Sequence, residues 1–224
     1  MTRSTGAAPL RAGRGSRTSA DVLLDAASAL MAERNSVDIT FTDIAARSGL
    51  NSALIHYRFG GKAGLFRALL ERDAGAAFPH LERLVASDLP AVEKLTHHIH
   101  GVIRLYFRYP YMNRLIAALA VETNSDTARF MSERFTRPLA AAQGAILEQG
   151  VREGVFRPVD PMLFHFSLIG ACDYLFTARH ALKWAFGVDE IDDALRRRYA
   201  AHITGQLLHS VVAAPVPFTS IQRD

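Results

Sequence analysis

Residues 40–62 constrain this chain more than any other stretch, because they predict two short helices joined by a tight turn. Thr40 and Asp43 have the spacing of a capping box, which satisfies free amides where a helix begins. Gly49 stands where that helix must stop, since glycine readily adopts the left-handed backbone of a helix end. Asn51 is suited to cap the second helix. The arrangement is a helix-turn-helix, a motif whose second helix enters the major groove of DNA.

The second helix of this motif has two different faces. Leu54 or Ile55, together with Phe59, is expected to anchor it to a core. The opposite face carries side chains suited to touching a nucleic acid: Ser52, Ala53, His56 and Tyr57.

A helix upstream of the motif completes a compact unit. Thr18 and Asp21 repeat the spacing of the Thr40–Asp43 pair, which places a helix start at residue 18. Apolar residues then recur every four positions, the pattern of a helix with one buried side. Three small helices within residues 18–66 therefore predict a DNA-binding head.

Residues 17–66 resemble the N-terminal domain of the TetR family of bacterial transcriptional regulators. The resemblance rests on the helix 20–34, the helix start 40–45, Gly49 and the run Ile55-His56-Tyr57-Arg58-Phe59-Gly60-Gly61-Lys62-Ala63-Gly64-Leu65-Phe66. It implies that Tyr57 and Lys62 anchor DNA phosphates. Ser52, Ala53 and His56 depart from the common family pattern, so the resemblance does not imply which operator sequence is read.

The predicted DNA contacts combine this motif with the basic N-terminus: Arg17, Thr42, Ser52, Ala53, His56, Tyr57 and Lys62. Residues 1–17 contain four arginines and no acid, which predicts a flexible basic arm. Such an arm can lie along phosphates or enter a minor groove. A solvated terminus without function is the equally weighted alternative.

Composition narrows the setting. The chain has 224 residues and a formal net charge of +4, so its basic character is local. The single cysteine, Cys172, lies in an apolar run and is expected to be a buried, inert thiol in a reducing compartment. We expect no signal peptide and no membrane span, and therefore a cytoplasmic protein on the bacterial nucleoid. No cofactor is expected.

The remaining chain predicts an all-α body over residues 67–213, followed by a loose tail at 214–224. Breakers and helical periods place its helices at 62–86 (with a kink near Pro79 left open), 90–108, 110–121, 126–152 (kinked or split at Pro138), 161–182 and 190–212.

By resemblance, the last two long helices form a four-helix bundle with those of a second subunit. The helix 161–182 is apolar almost all round, so it must be covered on more than one side. The predicted dimer contacts are Leu168, Ala171, Leu175, Leu195, Tyr199, Ile203, Gln206 and Leu207.

The resemblance also implies a small-molecule pocket in the body. The candidate ligand contacts are Arg104, Phe107, Met112, Leu115, Leu119, Glu122, Phe130, Phe135 and Phe176. A stripe of Phe and Leu at helical spacing is more often plain core than a cavity wall, and that alternative stays open. The aromatic character of the set predicts an apolar or amphipathic ligand.

The sequence gives less support for a metal site or a catalytic site. Glu93, His97 and His100 fall on one helix face at a spacing that can bind zinc, but nothing nearby in sequence closes such a site, so no metal is expected. No nucleophile elbow or phosphate-binding glycine loop occurs. An enzyme and a protein-binding adaptor remain as alternatives.

The sequence therefore predicts a ligand-responsive regulator that is not an enzyme. By resemblance it is a repressor that binds a palindromic operator as a homodimer and is released by a small molecule. Because the helix 62–86 begins at Lys62 and ends in the body, we expect its movement to change the spacing of the two heads.

Overall fold

The computed structural model describes residues 17–121 and 125–213, and the predicted all-α class is confirmed. The head contains α1 (Ser19–Arg34), α2 (Phe41–Ser48) and α3 (Ala53–Phe59), and α4 (Lys62–Asp73) connects it to the body. The body helices are α5 (Phe78–Ala86), α6 (Ala91–Arg108), α7 (Met112–Val121), α8 (Ser125–Met131), α9 (Arg137–Arg152), α10 (Pro161–Thr177), α11 (Arg179–Phe186) and α12 (Asp193–Val211). The arm before residue 17, the tail after residue 213 and Glu122 lie outside the described residues.

The predicted start of α1 and both predicted ends of α2 are confirmed. Thr40 and Asp43 form a reciprocal capping box at the start of α2, and an equivalent pair begins α1. Gly49 ends α2 in the left-handed region at φ 71°. The Asn51 side chain accepts a hydrogen bond from the Ala53 amide at 2.8 Å, but the predicted N-cap at Asn51 is wrong by one residue, because Ser52 occupies the N-cap of α3 and its side chain makes no capping bond.

The predicted continuous helix over 62–86 is wrong. It breaks after α4 into a 3-10 turn at Gly75–Ala77, and α5 starts afresh. Pro79 does not kink a helix, because it lies in the first turn of α5, where a missing amide costs nothing.

Two further boundaries differ from the sequence prediction, whereas the helix predicted to kink or split at Pro138 is indeed interrupted there. The helix expected to reach residue 182 ends at Thr177, and α11 follows as a separate helix. The last helix begins at Asp193 because the Asp192 side chain caps it. Pro138 is preceded by a widened π turn at Ser132–Thr136, since proline lacks the amide that a regular turn requires.

Helix α6 is the centre of the body and packs against α5, α9, α10 and α12. Three polar side chains form a hydrogen-bonded network in the core around α6. Gln143 Nε2 on α9 donates to His98 Nε2 at 3.0 Å, and His165 Nδ1 on α10 donates to Gln143 Oε1 at 2.7 Å. All three side chains are buried, so this hydrogen-bonded network fixes how α6, α9 and α10 are aligned along one another.

Within the described part of the chain, none of the helices combines the length and the apolar composition needed to cross a bilayer.

Acidification is expected to weaken the fold through His98. Burial, with a contribution from His165, lowers the pKa of His98 from 6.5 to about 4. Below pH 6.5 the unfolded state binds a proton at His98 more readily than the folded state does. The free energy of unfolding is therefore highest above pH 6.5 and decreases as the pH falls towards 4. At pH 5 this group alone should remove ~2 kcal/mol from the free energy of unfolding. Urea unfolding of the parent and of His98→Gln at pH 7.5 and pH 5 measures it, and equal losses in both proteins would contradict the assignment.

Candidate functional site

The recognition helix α3 is anchored to the head core mainly by Ile55, with Phe59 half-buried against the same core as predicted. Ile55 is completely buried in the head core, whereas Leu54 is only half-buried, so Ile55 is the principal anchor of the two candidates. This burial turns the opposite side of α3 towards solvent. Ala53, His56 and Tyr57 lie on that exposed side, and Tyr57 is 80% exposed.

Two predicted contacts at the edge of α3 have different environments. The His56 ring packs edge-on against Phe41 of α2 with centroids 4.9 Å apart, which orients the imidazole while leaving it exposed. Ser52 is half-buried in the turn between the helices. Thr42 is exposed at the start of α2.

Lys62 and the N-terminus of α4 form a positively charged site next to α3 that can attract an anion. The Lys62 side chain is 42% exposed, and its Nζ lies 4.0 Å from Asp38 Oδ1. No side chain caps the α4 N-terminus, and Gly61 at φ 126° directs the chain into it. The first amides of α4 therefore stay open for an anionic group next to the lysine.

Sequence reasoning missed Arg58. It is exposed in the last turn of α3, and its guanidinium lies 5.7 Å from the centroid of the Tyr57 ring. The signal was present, because a basic residue directly follows the predicted phosphate contact. Arg17, which was predicted to touch DNA, forms an ion pair with Asp25 of α1.

A charge pair links α1 to α2 within the head. The two terminal guanidinium nitrogens of Arg34, Nη1 and Nη2, donate to the Asp43 carboxylate at 3.0 and 2.9 Å. These bonds, followed by those from Thr40, lower the pKa of Asp43 well below its usual range. The capping carboxylate therefore also fixes the angle between the two helices.

The predicted ligand contacts do not line one cavity. Met112, Leu115, Leu119, Phe135 and Phe176 are buried in the core, Phe107 and Phe130 are half-buried, and Arg104 is exposed. The aromatic members separate into two packed groups. Phe107 contacts Phe176 at 6.4 Å between centroids, whereas Phe130 contacts Phe135 at 6.0 Å.

Two surface clefts are lined by other residues. One, of about 390 Å³, lies between α9 and the start of α10. The other, of about 360 Å³, separates α5 from α9. The α5–α9 cleft has apolar walls apart from Glu82: Phe78, Leu81, Val85, Ala86, Pro138, Ala141, Ala142 and Ala145.

The predicted dimer contacts divide between the protomer's own core and its surface. Leu168, Ile203 and Leu207 are buried within the protomer, so they have no surface left for a partner. Ala171, Leu175, Leu195 and Tyr199 are half-buried, and Gln206 is exposed. The sequence could not separate these sides because α10 is apolar all round.

The apolar surface that α10 leaves uncovered is a different stripe. Met162, Phe166 and Tyr174 are 58%, 67% and 70% exposed, and they share one helix face with the exposed Gly170. The exposed residues of α12 include the small Ala201 and Gly205, next to the larger Arg198 and His202.

The alternative sites gain no geometric support. In the described ranges, no three histidine, cysteine, aspartate or glutamate side chains are grouped closely enough to hold a metal ion. Glu93 and His97 are exposed on α6. Cys172 is buried as predicted, and burial raises its pKa to about 12, which keeps it a protonated thiol.

Comparisons with known proteins cover both parts of the chain. The family model described as bacterial regulatory proteins, tetR family, matches residues 23–69. The model described as tetracyclin repressor-like, C-terminal domain, matches residues 88–216.

Among individual proteins, the HTH-type transcriptional regulator BetI of Brucella canis is 26% identical over 200 residues, 89% of each chain. AibR, solved with isovaleryl coenzyme A and operator DNA, superimposes with a TM-score of 0.65 at 19% identity, covering 84% of this chain and 97% of its own. A regulator from Saccharomonospora viridis, solved with choline, gives a TM-score of 0.63 at 19% identity, covering 87% and 98%. At these identities the two structures show the fold.

The first turn of α4 is expected to tolerate no side chain at Gly64. A Cβ there would lie 1.7 Å from the carbonyl oxygen of Phe59, the last residue of α3. Gly64→Ala must therefore displace the recognition helix and should destabilise the protein by ~1–3 kcal/mol. Gly101→Ala in α6 is the matched control, because its Cβ enters open space, and it should stabilise by about 0.5–1 kcal/mol. Urea unfolding compares them, and similar stabilities would refute the packing argument.

Proposed function

The chain belongs to the TetR family of bacterial regulators, and from that premise we propose that it is a ligand-responsive repressor that binds a palindromic operator as a homodimer. Family members are transcriptional regulators and not enzymes, so the catalytic alternative is set aside. The observation that carries the proposal is the exposed face of α3 beside the open N-terminus of α4.

DNA binding is proposed to use two kinds of contact. Tyr57, Arg58 and Lys62 surround the start of α4 with a hydroxyl, two cations and open amides, which suits phosphate oxygens. Ala53 and His56 lie on the exposed face of α3, where side chains reach base edges in a major groove. Phosphate contacts hold the head in place, and base contacts select the sequence.

Separating these roles gives the direct test of the function. Tyr57→Ala and Lys62→Ala should weaken binding to DNA flanking the protein's own gene and to unrelated DNA alike. Lys62→Ala should also reduce the slope of log affinity against log salt by about 1. His56→Ala should instead change which sequence is preferred. Gel shifts at rising salt measure all three.

The control for that series is Lys183→Ala, which removes an exposed lysine of α11 and should leave the salt slope unchanged. Absence of any salt-sensitive retention by the parent protein would reject DNA regulation and favour the adaptor alternative.

Dimerisation is proposed to bury the uncovered stripe of α10. A row of large apolar groups that is more than half exposed is costly in water and marks an interaction surface. The small residues of α12 allow a second helix to approach closely. We therefore move the proposed interface from Leu168 to Met162, Phe166 and Tyr174, with Gln206 at its edge on α12.

Phe166→Glu should break this dimer. A carboxylate at the centre of the apolar stripe would be buried without a partner, so the dimer dissociation constant should rise at least ~30-fold. Sedimentation velocity across a concentration series measures the change. Val151→Glu places the same charge on exposed α9 and should leave the mass unchanged; a dimeric Phe166→Glu protein would refute the interface.

The effector is proposed to be apolar or amphipathic and to enter the α5–α9 cleft. The walls of this cleft are almost wholly apolar. Helix α5 directly follows the 3-10 turn and α9 directly follows the π turn, so the backbone next to the cleft is irregular on both sides. Structural neighbours solved with isovaleryl coenzyme A and with choline make these two compounds the first probes. Native mass spectrometry with each tests the class, and binding that survives Ala142→Trp would reject the cleft.

A further inference from the structure

Tyr111, just before α7, connects the head to the body through its hydroxyl group. The side chain is completely buried. Its oxygen donates to Asp73 Oδ2 at the end of α4 at 2.5 Å and lies 2.8 Å from Ser28 Oγ on α1. One hydroxyl therefore joins a body helix to two helices that carry the recognition helix.

Asp73 extends this connection as a charge network. Asp73 is 4% exposed, and its carboxylate accepts a hydrogen bond from Arg72 Nε at 2.6 Å. Arg72 Nη1 in turn donates to Asp25 Oδ1 of α1 at 2.8 Å. A buried carboxylate that loses a partner is strongly disfavoured, so α1, α4 and α7 are held in one arrangement.

Arg114 makes a second connection one turn further along α7. Its Nη1 donates to Asn35 Oδ1 at 2.5 Å, and its Nη2 donates to the Thr177 carbonyl at 2.8 Å. Asn35 caps the end of α1 in the left-handed region at φ 49°, and Thr177 ends α10. One guanidinium thus bridges the carboxyl ends of a head helix and of the proposed dimer helix, where a cation is electrostatically favoured.

We propose that Tyr111 and Arg114 position the DNA-binding head on the body and link it to the dimer helix α10 by a route separate from α4. These two residues with Ser28, Asp73, Asn35 and Thr177 form the α7 clasp. The inference rests on the proposed function and deepens it, because it names what sets the head angle. The planar fork of Arg114 has fixed geometry, so a displacement of the α10 end moves α1 with it.

The clasp also explains how a broken connecting helix can control the head. Since α4 and α5 are separated by the 3-10 turn, α5 cannot push α4 as a rigid rod. Helix α7 contacts α4 directly, and the hydrogen bond from Tyr111 to Asp73 reinforces that contact. Movements of the body therefore reach the head through α7 and α10 as well as through the chain itself.

The test measures the head angle without DNA or ligand, so it is independent of the proposed function. Spin labels on Ala46→Cys in α2 and Glu148→Cys in α9 report the head-to-body distance in the full chain. Cys172 is buried and protonated, so it should not take up label. Labelled protein is diluted into unlabelled protein to remove distances between subunits. The Tyr111→Phe, Arg114→Met double variant should at least double the width of the distance distribution.

Arg137→Met is the matched control, since it removes an exposed arginine from α9 and should keep the parental width. If the double variant fails to fold, Arg114→Lys provides the measurement, because a lysine cannot bridge both acceptors with a fixed fork. A lower melting temperature with an unchanged distance width would show a merely structural contact and overturn the proposal. A broadened distribution in a protein that fails to bind DNA would support the clasp while rejecting the regulator.

Discussion

The recognition helix exists because Ile55 is buried. Helices of seven and eight residues, such as α3 and α2, are unstable alone in water and depend on packing and capped ends. Ile44 and Ile55 are each completely buried, and Leu65 of α4 is buried with them. The same burial that stabilises α3 also decides which of its side chains face solvent. Stability and DNA recognition in the head therefore share one cause.

The head could be predicted in detail because its determinants are local. Capping pairs three residues apart, a glycine at a helix end and an anchor spaced from exposed groups are all readable within one or two turns. The 3-10 break could not be predicted. Ala74, Gly75 and the alanines after them carry only a weak stop signal, and the position of Pro79 fits both a kink and a helix start. Tertiary packing decided between these.

The sequence predicted that the body is built of helices, but it did not predict which of their side chains line a ligand cavity or a dimer interface. An apolar side chain in α7 or α10 fills the protomer core, a ligand cavity or an interface with the same chemistry. Leu115 and Leu168 are fully buried in the core, whereas Phe166, which the sequence did not single out, is exposed. The polar connections between helices could not be predicted either. Tyr111 and Arg114 are joined to distant elements by bonds that no sequence period could indicate, because their partners are 38 to 83 residues away.

The 3-10 turn gives α4 the mechanics of a short lever. At 1.5 Å per residue its 12 residues span about 18 Å from the turn to Lys62. A rotation of about 5° about its body end would sweep Lys62 through roughly 1.6 Å, more than the whole distance range of a hydrogen bond to a phosphate. Because the pivot lies next to the buried Asp73, a few degrees of tilt at one carboxylate would be enough to make or break the proposed contact between Lys62 and a DNA phosphate.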